Sequence, residues 1–155
     1  MKTLTDFIGN CQIPLINAIF YPNGDILVLD SHYVGEKYAL QVLCKSSIGS
    51  FFSYHDLDEV SSFDICYKAE YDGYCVMCGE GSFVADGIIY AKDTVEDKLL
   101  WAIFLDNSNP FYKVDFTDDN VLAYSTKEFK LIIPIKSLER LAIKNNYDSF
   151  KTNRK

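Results

Sequence analysis

From residue 100 to residue 135 the chain alternates apolar runs with turn residues, a pattern that predicts adjacent antiparallel strands. The runs 100–106, 111–117, 121–125 and 128–135 are rich in aromatic and β-branched side chains, and Asn107-Ser108-Asn109-Pro110 and Asp118-Asp119-Asn120 break them. This reads as a β-meander, with the chain's one tryptophan, Trp101, in its first strand. Upstream, residues 17–21 and 26–30 flank Pro22-Asn23-Gly24-Asp25, where Pro22 presets φ and Gly24 can go left-handed, so a hairpin is expected. Residues 36–45 are ambiguous. Tyr38, Leu40, Val42 and Cys44 fit period two, while Ala39, Val42 and Leu43 fit a helix face, and the strand is preferred.

Residues 46–62 mix Ser and Gly with Phe51, Phe52 and Tyr54 and then Asp56, Asp58 and Glu59, predicting a loop with a short turn of helix. Three further strands are expected at 63–69, 73–79 and 82–91, the last two joined by Gly79-Glu80-Gly81-Ser82, whose glycines permit positive φ. Gly9 and Pro14 confine any N-terminal helix within residues 3–17 to a short, irregular one. At the other end, Ser137 is placed to cap a helix with Leu138, Leu141 and Ile143 inward and Lys136, Arg140 and Lys144 outward, ending near Asn145-Asn146. Together these elements predict one α+β domain over residues 1–150, a twisted antiparallel sheet with a C-terminal helix packed on one face, followed by a frayed basic tail at 151–155. The alternative is an all-β fold.

The chain has 155 residues, enough for a core that needs no metal or disulfide staple. Asp6, Gly9 and Asn10 interrupt the N-terminus before a signal-peptide core can form, and no run of about 18 apolar residues suggests a membrane span. With five cysteines, an odd number, reduced thiols in a cytoplasm are expected. Charge changes the picture further. Residues 1–135 carry 9 Lys against 20 Asp and Glu, giving −11, whereas 136–155 carry 6 basic residues against 2 acidic, giving +4. An acidic body repels phosphate backbones, so direct nucleic-acid binding is not expected and a basic protein partner is.

Candidate chemistry is sparse. Cys75-Val76-Met77-Cys78 has the spacing of half a zinc knuckle, with Cys66 and either Cys44 or His32 to complete it, but no second tight pair exists. If 73–79 is continuous strand, the two thiols face opposite ways. A redox dithiol would favour a helix N-terminus instead. His32 or His55, oriented by Asp30 or Asp56, would have to reach a cysteine for thiol hydrolysis, and no spacing requires it. There is no Gly-x-Ser-x-Gly elbow and no phosphate loop, so an enzyme is not expected and no cofactor is implied. Strand-end carboxylates at Asp106, Asp115, Asp118 and Asp119 suit local turn bonds first and a cation or acid–base pair second. Asp56, Asp58, Glu59, Asp115, Asp118 and Asp119 are the candidate docking carboxylates, with Trp101 or surface tyrosines as anchors.

A small, acidic, cysteine-reduced, β-rich chain with Trp101-Ala102-Ile103-Phe104-Leu105, Asn109-Pro110-Phe111 and a closing Phe129-Lys130-Leu131-Ile132-Ile133-Pro134-Ile135 resembles bacterial immunity proteins of polymorphic or contact-dependent growth-inhibition systems. The resemblance covers about a quarter of the chain, and it implies a cytoplasmic inhibitor that binds the basic C-terminal domain of a cognate toxin, a nuclease in the preferred reading. Two rival readings stand beside it: a small cysteine-dependent or zinc-binding protein using Cys75 and Cys78, and a homo-oligomer pairing through a strand edge or aromatic surface.

Overall fold

Strands buried on both faces at the centre, such as 18–20 and 101–105, and strands that alternate at the outside, such as 129–134, organise the molecule into three layers, and a computed structural model describes them for residues 2–145. In order the chain forms α1 (Leu4–Gly9), β1 (Gln12–Pro14), β2 (Ala18–Phe20), β3 (Asp25–Val34), β4 (Lys37–Ser47), α2 (Ile48–Tyr54), β5 (Val60–Ser62), β6 (Asp64–Tyr71) and β7 (Tyr74–Glu80). It continues through β8 (Gly87–Asp93), β9 (Lys98–Leu105), β10 (Phe111–Thr117), β11 (Asn120–Ser125), β12 (Phe129–Pro134), a 3₁₀ turn (Leu138–Arg140) and β13 (Ala142–Asn145). Strand accounts for 58% of the described residues and helix for 11%, so the fold is nearly all β.

A seven-stranded antiparallel sheet, in the order β4-β3-β2-β9-β8-β7-β6, forms the middle layer. One face, with Ile19, Ile89, Trp101 and Ile103, packs on a four-stranded sheet, β10-β11-β12-β13, that contributes Phe111, Val121, Phe129 and Leu131. The other face, with Ala18, Phe20, Ile88 and Phe104, is covered by Leu4 and Phe7 of α1, Phe51 and Phe52 of α2, and the two-stranded ribbon β1–β5.

The expected meander divides in two. β9 lies inside the seven-stranded sheet, and only β10 to β12 continue as consecutive neighbours in the other sheet. Residues 106–110 therefore cross between layers. Asn107 anchors that crossing: its Oδ1 accepts from Tyr38 Oη (2.7 Å) and Ser31 Oγ (2.9 Å), and its Nδ2 donates to the Ser31 carbonyl (2.9 Å).

The expected C-terminal helix does not form. After one 3₁₀ turn, residues 142–145 pair antiparallel with β12, because that strand otherwise ends the sheet with an unsatisfied ladder edge. The tail at 151–155 lies outside the described residues. The Asn145 amide then reaches β4, where it accepts from the Tyr38 N–H (2.9 Å) and donates to the Tyr38 carbonyl (3.3 Å). On the opposite side the Cys66 thiol of β6 donates to the Phe111 carbonyl of β10 (3.2 Å). The two sheets are thus tied at both edges.

The hairpin expected around Pro22–Asp25 forms, with Ala18–Phe20 paired to Ile26–Val28 and Gly24 at φ 96°. Two glycines behave otherwise. Neither Gly79 nor Gly81 has positive φ, and the third expected strand begins at Gly87, leaving 81–86 as a loop. These glycines serve close approach: a Cβ on Gly79 would lie 1.9 Å from the Asp64 carbonyl oxygen, and one on Gly81 would meet Asp86 Oδ2 at 2.5 Å.

Asp86, 1% exposed, accepts from Ser61 Oγ (3.0 Å) and the Phe83 N–H (3.1 Å) through Oδ2, while its Oδ1 has no partner. Burial pushes its carboxyl above the usual range, and nearby Asp106 adds to the shift. A raised folded-state pKa favours the protonated fold, so this group's contribution falls as pH climbs from the unfolded value, about 3.9, through the folded one. In thermal melts across pH, Asp86→Asn should remove that slope, gaining on the wild type toward neutral pH by about 1 kcal/mol and converging with it in acid. Asp86→Ala, which loses both contacts, should be less stable throughout.

Candidate functional site

The sequence after α2 builds a braced loop with outward apolar tips. Ser47 caps the helix by accepting from the Ser50 N–H (3.0 Å), and Ile48, Phe51 and Phe52 fall on one helical stripe against the sheet. Tyr54 lies off that stripe and is 87% exposed. Beyond it, His55 stacks on Phe51 with centroids 4.2 Å apart, and its Nδ1 lies 2.7 Å from Glu59 Oε2. The same carboxylate accepts from the Asp56 N–H (3.2 Å), and the Glu59 N–H donates to the Asp56 carbonyl (3.1 Å). Held this way, the loop turns Leu57, 73% exposed, and the carboxylates of Asp56 and Asp58 toward solvent.

Next to Leu57 an open groove of about 680 Å³ runs between the helices, lined by Lys2, Asp6, Phe7, Phe52 and Leu57. Phe7 and Phe52 stack across it at 5.7 Å. A second apolar pair, Phe83 and Val84, lies exposed on the 81–86 loop, which Ser82 Oγ ties to the Ser62 backbone. Ser62 is two residues beyond Val60 on β5, so the loops flank one ribbon about 10 Å long. This surface sets exposed apolar side chains beside the carboxylates of Asp56 and Asp58, with Lys2 and Asp6 at the groove.

The six candidate carboxylates do not make one face. Asp56, Asp58 and Glu59 belong to the helical layer, whereas Asp115, Asp118 and Asp119 belong to the four-stranded sheet, on the far side of the middle layer. The latter three have local roles. Asp115 lies 3.5 Å from Lys113 Nζ, Asp119 lies 3.8 Å from Lys136 Nζ, and Asp118 takes φ 49° in the β10–β11 turn. Trp101 is no surface anchor either: it is 2% exposed and donates through Nε1 to Tyr74 Oη (2.7 Å).

β7 is continuous through both thiols of the Cys75/Cys78 pair. Cys78 packs between the two sheets with Val76, and Cys75 falls on the opposite face beside Tyr90 and Lys92. They cannot share a metal or form a local dithiol. Burial raises both thiols, Cys78 to about 12, which suppresses the nucleophilic thiolate. His32 sits by Asp30 at 3.5 Å and His55 by Glu59. Among the described residues no three His, Cys, Asp or Glu side chains converge as metal ligands would. No helix among them is long and apolar enough to cross a membrane.

Tyr54 and Leu57 are the functional candidates that sequence reasoning missed. The helical period from Ile48 places 51 and 52 inward and 54 outward, so the signal for Tyr54 was present once α2 was read as a helix. Comparison with protein-family models, with curated proteins and with solved structures finds no match to this chain.

Proposed function

We propose that this chain is a stoichiometric protein-binding inhibitor of the immunity-protein kind, which docks the cationic catalytic domain of a cognate toxin, a nuclease, on its Tyr54–Glu59 surface. The observation that carries this reading is the braced loop itself. Two large apolar side chains, Tyr54 and Leu57, stand in solvent with the carboxylates of Asp56 and Asp58 on either side of Leu57, beside an aromatic groove, at a conformation fixed by the His55–Glu59 contact. Apolar anchors supply the affinity, and the carboxylates supply steering and compete with the toxin's polyanionic substrate for its basic cleft. Asp56, Asp58 and Glu59 keep their proposed role. Asp115, Asp118 and Asp119 do not join the same footprint.

The test is capture from host lysate by the tagged full chain, run in parallel with Tyr54→Ala/Leu57→Ala and Asp56→Lys/Asp58→Lys variants. Expected is one basic protein retained in equimolar amount by the wild type. The double alanine variant should weaken retention by 10-fold or more, roughly the effect of losing one anchor hot spot. Charge reversal should slow association about 10-fold at low salt and matter little at high salt. Retention unchanged in both variants, or no equimolar protein at all, would overturn the assignment.

A further inference from the structure

The outer face of the four-stranded sheet carries the opposite sign to the acidic body. Register places Lys113, Tyr124, Lys130 and Lys144 directly opposite one another across β10, β11, β12 and β13. At about 4.8 Å per strand this is a basic row about 14 Å long. The ammonium groups of Lys113 and Lys130 lie 5.3 and 5.7 Å from the Tyr124 ring centroid, and because Asp115 pairs with Lys113 at 3.5 Å, Lys130 and Lys144 carry the net charge of the row. Lys130 and Lys144 face each other as a like-charge cross-strand pair, which disfavours the isolated sheet and which an incoming anion relieves. The adjacent row is Asp115, Leu122, Ile132 and Ala142, apolar in three of its four positions. A basic stripe therefore runs beside an apolar one.

The loop on the opposite outer layer has the complementary composition. Within Tyr54–Asp58, two apolar side chains alternate with two carboxylates over a reach of at most about 14 Å. We propose that the Lys113–Tyr124–Lys130–Lys144 face docks the Tyr54–Glu59 loop of a second copy of this chain. Lys130 and Lys144 receive Asp56 and Asp58, and Leu57 lies over Ile132 and Ala142. Because donor and acceptor surfaces lie on opposite layers, the contact is heterologous and propagates head to tail. Pairing through sheet edges is discouraged instead: β4, β6 and β10 are each interrupted by a bulge, at Leu43, Cys66 and Tyr112, and β13 has four residues. The contact is small, so it is weak and salt-sensitive. It uses the same loop as the proposed inhibitor surface, so a bound cationic partner disperses the assembly.

Sedimentation velocity of the full chain from micromolar to millimolar concentration tests this at about 0.01 M and about 1 M salt, where the Debye lengths are about 30 and 3 Å. Expected is a broad, concentration-dependent rise in mass at low salt that is lost at high salt. Lys130→Glu and Asp58→Lys should each be monomeric alone. Their equimolar mixture should form a capped dimer, because one variant keeps a native loop and the other a native sheet face. Monomers throughout, variants that assemble like the wild type, or a mixture that stays monomeric would overturn the proposal. So would a monomeric wild type that binds a single-stranded polynucleotide and loses it on Lys130→Glu, which would assign the row to a polyanion. Lys130→Glu keeps the loop intact and should capture the cationic partner as the wild type does, so failure here is distinguishable from failure of the inhibitor reading.

Discussion

Gly79→Ala should lower the stability of the fold by roughly 3 kcal/mol, read as a shift of the urea midpoint at unchanged slope. The atoms that a new Cβ would meet are the Asp64 carbonyl oxygen at 1.9 Å, the Asp64 carbonyl carbon at 2.9 Å and Ile65 Cα at 2.9 Å. All three are backbone, so no rotamer change makes room. β6 would have to lift from β7 next to the bulge at Cys66, and the thiol contact to Phe111 that ties the two sheets there would go with it. Gly9→Ala is the control, because nothing lies within 4 Å of the added methyl and its φ is not left-handed. Its midpoint should stay within about 0.5 kcal/mol of wild type. A Gly79→Ala protein as stable as the Gly9→Ala protein would mean that β6 does not approach β7 as described.

Asn107→Leu should cost about 2–4 kcal/mol for a different reason. The substitution deletes an acceptor shared by Tyr38 and Ser31 and a donor to the Ser31 carbonyl in a half-buried site, while Ser31 Oγ keeps its contact from Asn17 Nδ2 at 3.3 Å. Tyr38 is 2% exposed and stacks on Phe129 at 4.3 Å, and burial already holds its phenol above the usual range, so water cannot readily replace the lost bond. A double-mutant cycle with Tyr38→Phe should return a coupling of roughly 0.5–3 kcal/mol. Strict additivity would show that the two side chains do not act together.

Most strands were legible because a half-buried pleated surface imposes period two, and the Tyr38, Leu40, Val42 positions of β4 obey it through Val42, where the extra residue Leu43 shifts the register. What was not legible was non-local. Asn107-Ser108-Asn109-Pro110 has the residues of a hairpin turn, yet it carries the chain from one sheet to another. Only the distant Ser31 and Tyr38 distinguish the two outcomes. Residues 138–143 fit a helical face as well as a short strand, and the open edge of β12 decided between them. Asp72-Gly73, at φ 51° and 78°, closes the β6–β7 hairpin with both central residues left-handed, so the strand expected at 73–79 starts at Tyr74 instead. Among the candidate contact residues, the acidic half of the loop was visible as Asp56, Asp58 and Glu59. In its apolar half the helical period put Tyr54 outward, but nothing local marked Leu57, because exposure in a loop is a tertiary property, and the acidic positions near residues 115–119 looked equivalent until topology put them on another layer.

Asn145 gives the fold a separately observable event. Among the described residues no backbone ladder joins β13 to β4, and the polar closure of that seam is one side-chain amide gripping the N–H and carbonyl of Tyr38, beside the stack of Tyr38 on Phe129. Releasing those two bonds frees the Tyr38 backbone while every strand pair stays formed, which makes the clasp a local unit of lower stability than the sheets. The Tyr38 amide hydrogen is its reporter. Its exchange with deuterium should follow the opening of this clasp, faster than the amides of β9 in the centre of the large sheet, and should accelerate selectively in Asn145→Ala.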